Sequence, residues 1–187
     1  MNVRVATVAD VPALQELISA SVRGLSAGFY SPAQIAAAMT KVFGVDTQLI
    51  ADATYFVIDG STGPVAAGGW SGRRTLFGGD QMKQAVDPPL DPRTEPARIR
   101  AFFVHPEWAR RGLARQLYAA CARAAYAAGF RRFELMATLP GEPLYLALGF
   151  AVVERVTLQL GAGVEVPFAR MTRCIDVAEC AKSSQGA

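Results

Sequence analysis

The segment that most constrains this chain is an apolar run, Ile99-Arg100-Ala101-Phe102-Phe103-Val104, a short turn, and then a helical repeat. The run is rich in aromatic and β-branched residues and reads as a strand, beginning near residue 97. From Leu113 onward, Leu117, Ala120, Cys121, Ala124 and Ala128 recur three or four residues apart, which puts them on one helical face. Gly129 supplies a C-terminal stop, and Phe133-Glu134-Leu135-Met136-Ala137 reads as the next strand. The turn between the first strand and the helix holds Pro106, Arg110, Arg111 and Gly112. A helix that opens there leaves its first backbone N–H groups without carbonyl partners, and its dipole adds partial positive charge. Gly112 removes a Cβ from the approach to the main chain, and the arginines add full charges. These features describe an anion site of pyrophosphate size at a helix N-terminus.

The turn carries neither a Gly-x4-Gly-Lys-Ser/Thr run nor a Gly-x-Gly-x-x-Gly run, so two common phosphate-binding loops are excluded. A second motif follows at Gly141-Glu142-Pro143-Leu144-Tyr145-Leu146-Ala147-Leu148-Gly149-Phe150. Pro143 suits an early helical position, and Gly149 suits the left-handed residue that ends a short helix. Together the two segments resemble the GCN5-related N-acetyltransferases (GNAT). In that family a strand ending in Val-x-Pro precedes Gln/Arg-x-x-Gly-x-Gly/Ala at a helix start, and Phe-Tyr-x-x-x-Gly-Phe lies downstream. Here the first pattern falls on Val104 to Pro106 and on Ala109-Arg110-Arg111-Gly112-Leu113-Ala114, with Ala109 in place of Gln or Arg. Tyr145 and Gly149-Phe150 take the downstream positions.

The remaining chain reads as follows. Val3-Arg4-Val5-Ala6 alternates like a short strand. Thr7 or Asp10 can cap a helix with Val11, Leu14, Leu17, Ile18 and Val22 on its buried stripe. Gly24 to Tyr30 reads as a loop, and Ser31-Pro32 opens a second helix running to about Phe43. Thr54 to Ile58 and Val65 to Trp70 read as a hairpin across the turn at 59–64. Residues 71–96 hold six glycines and prolines between Gly78 and Pro96, are too long for an ordinary connection, and read as either a substrate-facing loop or a disordered linker, with Trp70, Arg73, Arg74, Phe77 and Asp80 favouring the former. Residues 150–158 and Val166 to Arg173 read as two last strands joined by Gly161-Ala162-Gly163.

Composition narrows the class. With 187 residues, 51% of them hydrophobic, the chain suits one domain with a sizeable core, expected over 1–176 with a flexible tail at 177–187. The longest nearly uncharged apolar run, Leu144 to Val153, is too short to span a bilayer, and positions 1–20 lack a signal-like pattern. A cytoplasmic protein that avoids membranes is therefore expected. Cys121, Cys174 and Cys180 fit neither a disulfide framework nor a metal spacing, and His105 is the only histidine, so no metal is expected. Cys121 reads as a small core residue. The net charge of +3 is concentrated around one loop, which disfavours a nucleic-acid binder.

The resemblance implies an α+β acyl-CoA N-acyltransferase fold, with a mixed sheet of about seven strands splayed at its middle and about four helices. It implies acetyl-CoA as co-substrate and an amine of a small molecule or peptide as acceptor, and it leaves room for a homodimer. By the same resemblance, main-chain groups at Phe102, Phe103 and Val104 would pair with the pantetheine arm. Those from Ala109 through Arg110, Arg111, Gly112, Leu113 and Ala114 to Arg115 would take the pyrophosphate. Tyr145 would serve as general acid toward the departing thiolate. The family places its acceptor pocket at the first helix pair, which makes Ser21, Arg23, Phe29 and Tyr30 candidate contacts, with Trp70 from the loop beyond. Glu95, Glu134, Glu142 and Asp80 are carboxylates available as a base, and none is singled out. The competing reading is a catalytically idle acyl-CoA-binding module on the same scaffold.

Overall fold

The computed structural model of the chain describes residues 2–83, 87–161 and 163–176. Ala162 of the expected last turn, Cys180 and the expected tail at 177–187 lie outside the described residues. Seven strands form one sheet: β1 Val3–Val5, β2 Tyr55–Asp59, β3 Pro64–Ser71, β4 Ala97–Val104, β5 Arg132–Thr138, β6 Ala151–Gln159 and β7 Glu165–Cys174. Their order across the sheet is β1-β2-β3-β4-β5-β7-β6. Every neighbouring pair is antiparallel except β4 and β5, which run parallel. The expected mixed, seven-stranded sheet is therefore present.

Among the described residues, five α-helices accompany it: α1 Val11–Ser26, α2 Pro32–Lys41, α3 Thr47–Ala51, α4 Leu113–Ala127 and α5 Glu142–Ala147. α1 lays Leu14, Leu17, Ile18 and Val22 on one sheet face with Val45, Leu49, Tyr55 and Val57. α4 packs on the other face, where Tyr118, Cys121, Ala122 and Ala125 meet Phe133, Leu135 and Met171. Ala128 is exposed rather than buried, because α4 ends at Ala127 and Gly129 turns the chain away at φ +95°. α2 starts as the sequence implies. Ser31 Oγ accepts from Gln34 N at 3.2 Å while Gln34 Oε1 accepts from Ser31 N at 2.8 Å, with Pro32 at the first helical positions.

One expectation fails at the first connection. Gly24 does not end α1, which continues to Ser26. A Cβ at Gly24 would lie 2.4 Å from Pro106 Cγ, so this glycine serves close helix packing rather than helix termination. α3 is an additional helix beyond the four expected, opened by Asp46 Oδ1 accepting from Gln48 N at 3.1 Å.

The feature that shapes the molecule lies at β4. Its parallel pairing with β5 covers only Ala97↔Phe133 and Arg98↔Glu134, after which the two strands part. On its other edge β4 stays paired with β3, but the register shifts between Ala67 and Gly69. Two β4 residues, Ala101 and Phe102, thus face one position on β3, which is a β-bulge. Ala101 carries φ +53° there, an uncommon value for a residue with a side chain. Gly68 stands opposite, and the Phe102 ring occupies the space its Cβ would take, at 2.7 Å.

The long connection after β3 is tied down by charge. Arg100 of β4 is 3% exposed, and its Nη2 donates to Asp46 Oδ2 at 2.8 Å and to Gly78 O at 2.5 Å. Its Nη1 donates to Thr75 O at 2.8 Å, and Lys83 also pairs with Asp46, which is 1% exposed. Burial pushes the Arg100 guanidinium below its ordinary pKa, while Asp46 opposes that shift. Removing the carboxylate would strand a buried cation. Asp46→Ala is therefore expected to lower unfolding free energy by about 3–5 kcal/mol in urea titrations. A change within about 0.5 kcal/mol, as at an ordinary surface site, would contradict that role.

Candidate functional site

The parting of β4 from β5 opens a cavity of about 700 Å³. Its walls come from α1, the segments at 42–44 and 76–78, β4, the turn into α4, β5, α5 and Phe168 of β7. Two groups of main-chain donors and one side chain give it chemical character.

The first group lies on β4. His105 N donates to Val65 O at 2.9 Å, so this residue turns its main chain toward β3. Strand alternation then turns Phe103 the same way, and Phe102 and Val104 toward the gap. Val104 N already donates to Ser21 Oγ of α1 at 3.2 Å. All three residues line the cavity, with Phe102 holding the main-chain groups best placed for an extended ligand strand.

The second group is the turn between β4 and α4. Pro106 to Trp108 form one 3-10 turn, with His105 Nδ1 accepting from Glu107 N at 3.4 Å. Arg110 and Gly112 both take left-handed values, φ +64° and φ +80°. Such alternation curls successive amides into a concave surface for anions. A Cβ at Gly112 would meet nothing within 4 Å, so the space beside this main chain is open. Gln116 N makes a helical bond back to Gly112 O at 3.2 Å, which leaves the amides of Leu113, Ala114 and Arg115 without carbonyls of their own helix. Ala109, Arg110, Gly112, Leu113, Ala114 and Arg115 line the cavity. Arg111 is not among the lining residues; its guanidinium stacks on Trp108 at 4.7 Å.

Tyr145 is the side chain beside these donors. Pro143 stands in the first turn of α5, and Gly149 follows the helix at φ +84°, as the sequence implies. The Tyr145 ring packs edge-on against Phe102 at 6.3 Å and Phe150 at 5.7 Å. The residue is 8% exposed and lines the cavity, and no partner of its hydroxyl is found among the described residues. Burial raises its pKa well above the ordinary tyrosine range, so at neutral pH it is a hydrogen-bond donor.

Several expected contacts lie elsewhere. Tyr30 is buried against β7, where its hydroxyl donates to Pro167 O at 2.8 Å and accepts from Leu139 N at 2.9 Å. It fastens the α1–α2 connection and does not line the cavity. Trp70 also misses the cavity: β3 runs on to Ser71, pairs Trp70 with Ile99, and sends the indole into the core against Phe130 at 5.9 Å. Arg23 is exposed and does not line the cavity. Ser21 and Phe29 do line it. Of the 71–96 connection, Leu76, Phe77 and Gly78 reach the wall, while Arg73 pairs with Asp52 at 2.6 Å and Arg74 with Glu95 at 3.0 Å.

The four carboxylates considered as bases are all engaged away from the cavity. Glu134 pairs with Arg98 and with Arg170, Glu142 with Arg155, and Glu95 with Arg74. Asp80 accepts from Thr47 N at 3.1 Å. Cys121 is fully buried on α4, where burial raises its thiol pKa well above the ordinary value, and it behaves as a core residue. Sequence reasoning missed Phe43, Met136, Arg100 and Phe168 as cavity residues, since each sits in a pattern indistinguishable from ordinary core packing.

Among the described residues, no group of His, Cys, Asp and Glu is arranged to hold a metal ion, and no helix is long and apolar enough to cross a membrane. Residues 91–171 match the family described as Acetyltransferase (GNAT) domain. No curated protein matches the chain in sequence. Among solved structures, a GCN5-related N-acetyltransferase from Rhodopseudomonas palustris is 18% identical with a TM-score of 0.66, covering 92% of this chain and 94% of its own. The PaiA N-acetyltransferase from Thermoplasma acidophilum, solved in complex with coenzyme A, is 12% identical with a TM-score of 0.62, covering 92% and 98%. A protein from Salmonella typhimurium, solved with its cofactor acetyl-CoA, is 16% identical with a TM-score of 0.61, covering 94% of each chain. At these identities the likeness speaks to the fold.

Proposed function

We propose that the chain, whose residues 91–171 match the acetyltransferase (GNAT) domain and whose fold is that of solved GCN5-related N-acetyltransferases, moves the acetyl group of acetyl-CoA directly to an amine of a small molecule or peptide. The observation that carries this reading is the unpaired edge of β4 leading straight to the open amides at the start of α4. An extended arm fits against Phe102, and a diphosphate fits the concave run from Arg110 to Arg115, with Arg110 and Arg115 adding charge. The two ends of the gap thus suit the two chemically different parts of one coenzyme.

In the reaction, the amine nitrogen bonds to the thioester carbonyl carbon, the carbon–sulfur bond breaks, the nitrogen gives up a proton and the sulfur gains one. Tyr145 donates a hydrogen bond to the departing sulfur. An ordinary thiol titrates near 8.5, far below this buried phenol, so complete proton transfer from Tyr145 is uphill. Its contribution is the bond formed as negative charge gathers on sulfur. Phe102 and Phe150 hold the ring so that the hydroxyl meets the gap.

Two variants test this. Tyr145→Phe is expected to lower kcat by about a hundredfold with KM little changed, measured as thiol release. Because that hydroxyl has no partner among the described residues, melting temperature should hold or rise. Unimpaired kcat would make Tyr145 a packing residue. Gly112→Val is expected to weaken acetyl-CoA binding at least tenfold by calorimetry, since a side chain would enter the open space beside the amides and strain a left-handed backbone. Unchanged affinity would contradict the assignment of these amides.

A further inference from the structure

Beyond the coenzyme-facing end, the cavity changes character. Leu25, Phe29, Phe43, Phe77, Met136 and Phe168 make its far wall. Among the described residues no carboxylate and no histidine lines any part of it. The titratable or permanently charged groups that do are Arg100 on β4, Arg110 and Arg115 around the start of α4, and Tyr145 on α5. Arg100 is already paired with Asp46 at 2.8 Å, Arg110 and Arg115 belong to the diphosphate end, and the fourth is a phenol held protonated.

Two consequences bear on the acceptor. A ligand carrying a second positive charge would meet apolar and aromatic side chains with no carboxylate to pair with, at a desolvation cost the wall does not repay. Nor does any lining side chain stand ready to take a proton from an ammonium ion, so the acceptor must enter already neutral. An α-amine titrates near 7.7–8.0 and a lysine-type amine near 10.4, so at pH 7 the neutral fraction differs by about 300-fold between them.

Resting on the acetyl-transfer reading above, we infer that the natural acceptor is a small, weakly basic amine borne on an apolar or aromatic group, with no second positive charge. The far wall supplies the contact for that group, and the lack of a carboxylate among the described lining residues biases the site against polyamines and alkylammonium ions. The unionised amine forms a bond to the thioester carbonyl carbon, the carbon–sulfur bond breaks, the nitrogen's surplus proton leaves to water, and the departing thiolate takes a proton from water to leave as the thiol of coenzyme A.

The test compares thiol release from acetyl-CoA with L-phenylalaninamide, N-acetyl-L-lysinamide and spermidine. At pH 7 the first is expected to exceed the second in kcat/KM by at least a hundredfold, on the neutral-fraction argument. For each acceptor, kcat/KM should rise with pH and level off at that acceptor's own pKa. Equal or better use of N-acetyl-L-lysinamide or spermidine overturns the inference. So does a break at one fixed pH for every acceptor, which would mark a base on the protein. Phe29→Glu adds an anion at the rim, where the native side chain is 51% exposed and the fold is not at stake. It should shrink the preference for L-phenylalaninamide at least tenfold, and an unaltered preference counts against the site. Thiol release from none of the three amines by a protein that still binds acetyl-CoA overturns the acceptor class alone. Failure to bind acetyl-CoA overturns the transfer reading itself.

Discussion

The structure depends on a parting of strands. β4 and β5 are joined at Ala97↔Phe133 and Arg98↔Glu134 and then separate, leaving one edge of a central strand without a neighbour. An unpaired edge inside a sheet is costly unless something else meets its polar groups. Here α1 meets one of them through Ser21, and the rest face a cavity. The bulge at Ala101 sets how β4 is presented there, with Phe102 toward the α4 side and Phe103 toward the α1 side. Gly68 on β3 makes this possible, because any side chain there would collide with the Phe102 ring.

Charge is used differently on the two sides of this opening. Behind the wall, Asp46, Arg100 and Lys83 form a buried cluster that pins the 75–78 segment against β4. Across the sheet, Glu134 bridges Arg98 and Arg170 and so joins β4, β5 and β7 at the point where pairing ends. The carboxylates are thus absorbed by the frame. What faces the cavity is apolar surface, main-chain amides and arginine, a combination suited to an anionic, partly apolar ligand.

Much of this was legible in the sequence, and the reason is punctuation. Pro32, Pro143, Gly112, Gly129 and Gly149 sit where helices open or close, and each carries a backbone constraint that few other residues satisfy. The strand, turn and helix from 97 to 127 therefore read correctly without tertiary information. Gly24 shows the limit of the same reasoning: its lack of a Cβ is used for contact with Pro106, and no local pattern separates the two uses. The five-residue α3 is too short to show a periodic stripe. The bulge at Ala101 has no local signature either, since alanine rarely adopts a positive φ and only the neighbouring strand makes it do so. For the same reason the inward aromatics could not be sorted. Phe29 and Phe77 reach the cavity, whereas Tyr30 and Trp70 turn to β7 and to the core, according to side-chain directions fixed by distant partners.

The central claim is that the gap between β4 and β5 seats the coenzyme, with its diphosphate against the first amides of α4. A crystal structure of the chain with coenzyme A tests it directly. The account predicts diphosphate oxygens within hydrogen-bond distance of main-chain nitrogens between Arg110 and Arg115, and the pantetheine arm lying along Phe102 with its sulfur toward Tyr145. Coenzyme bound outside this gap, or those amides satisfied by the protein's own side chains, would contradict it.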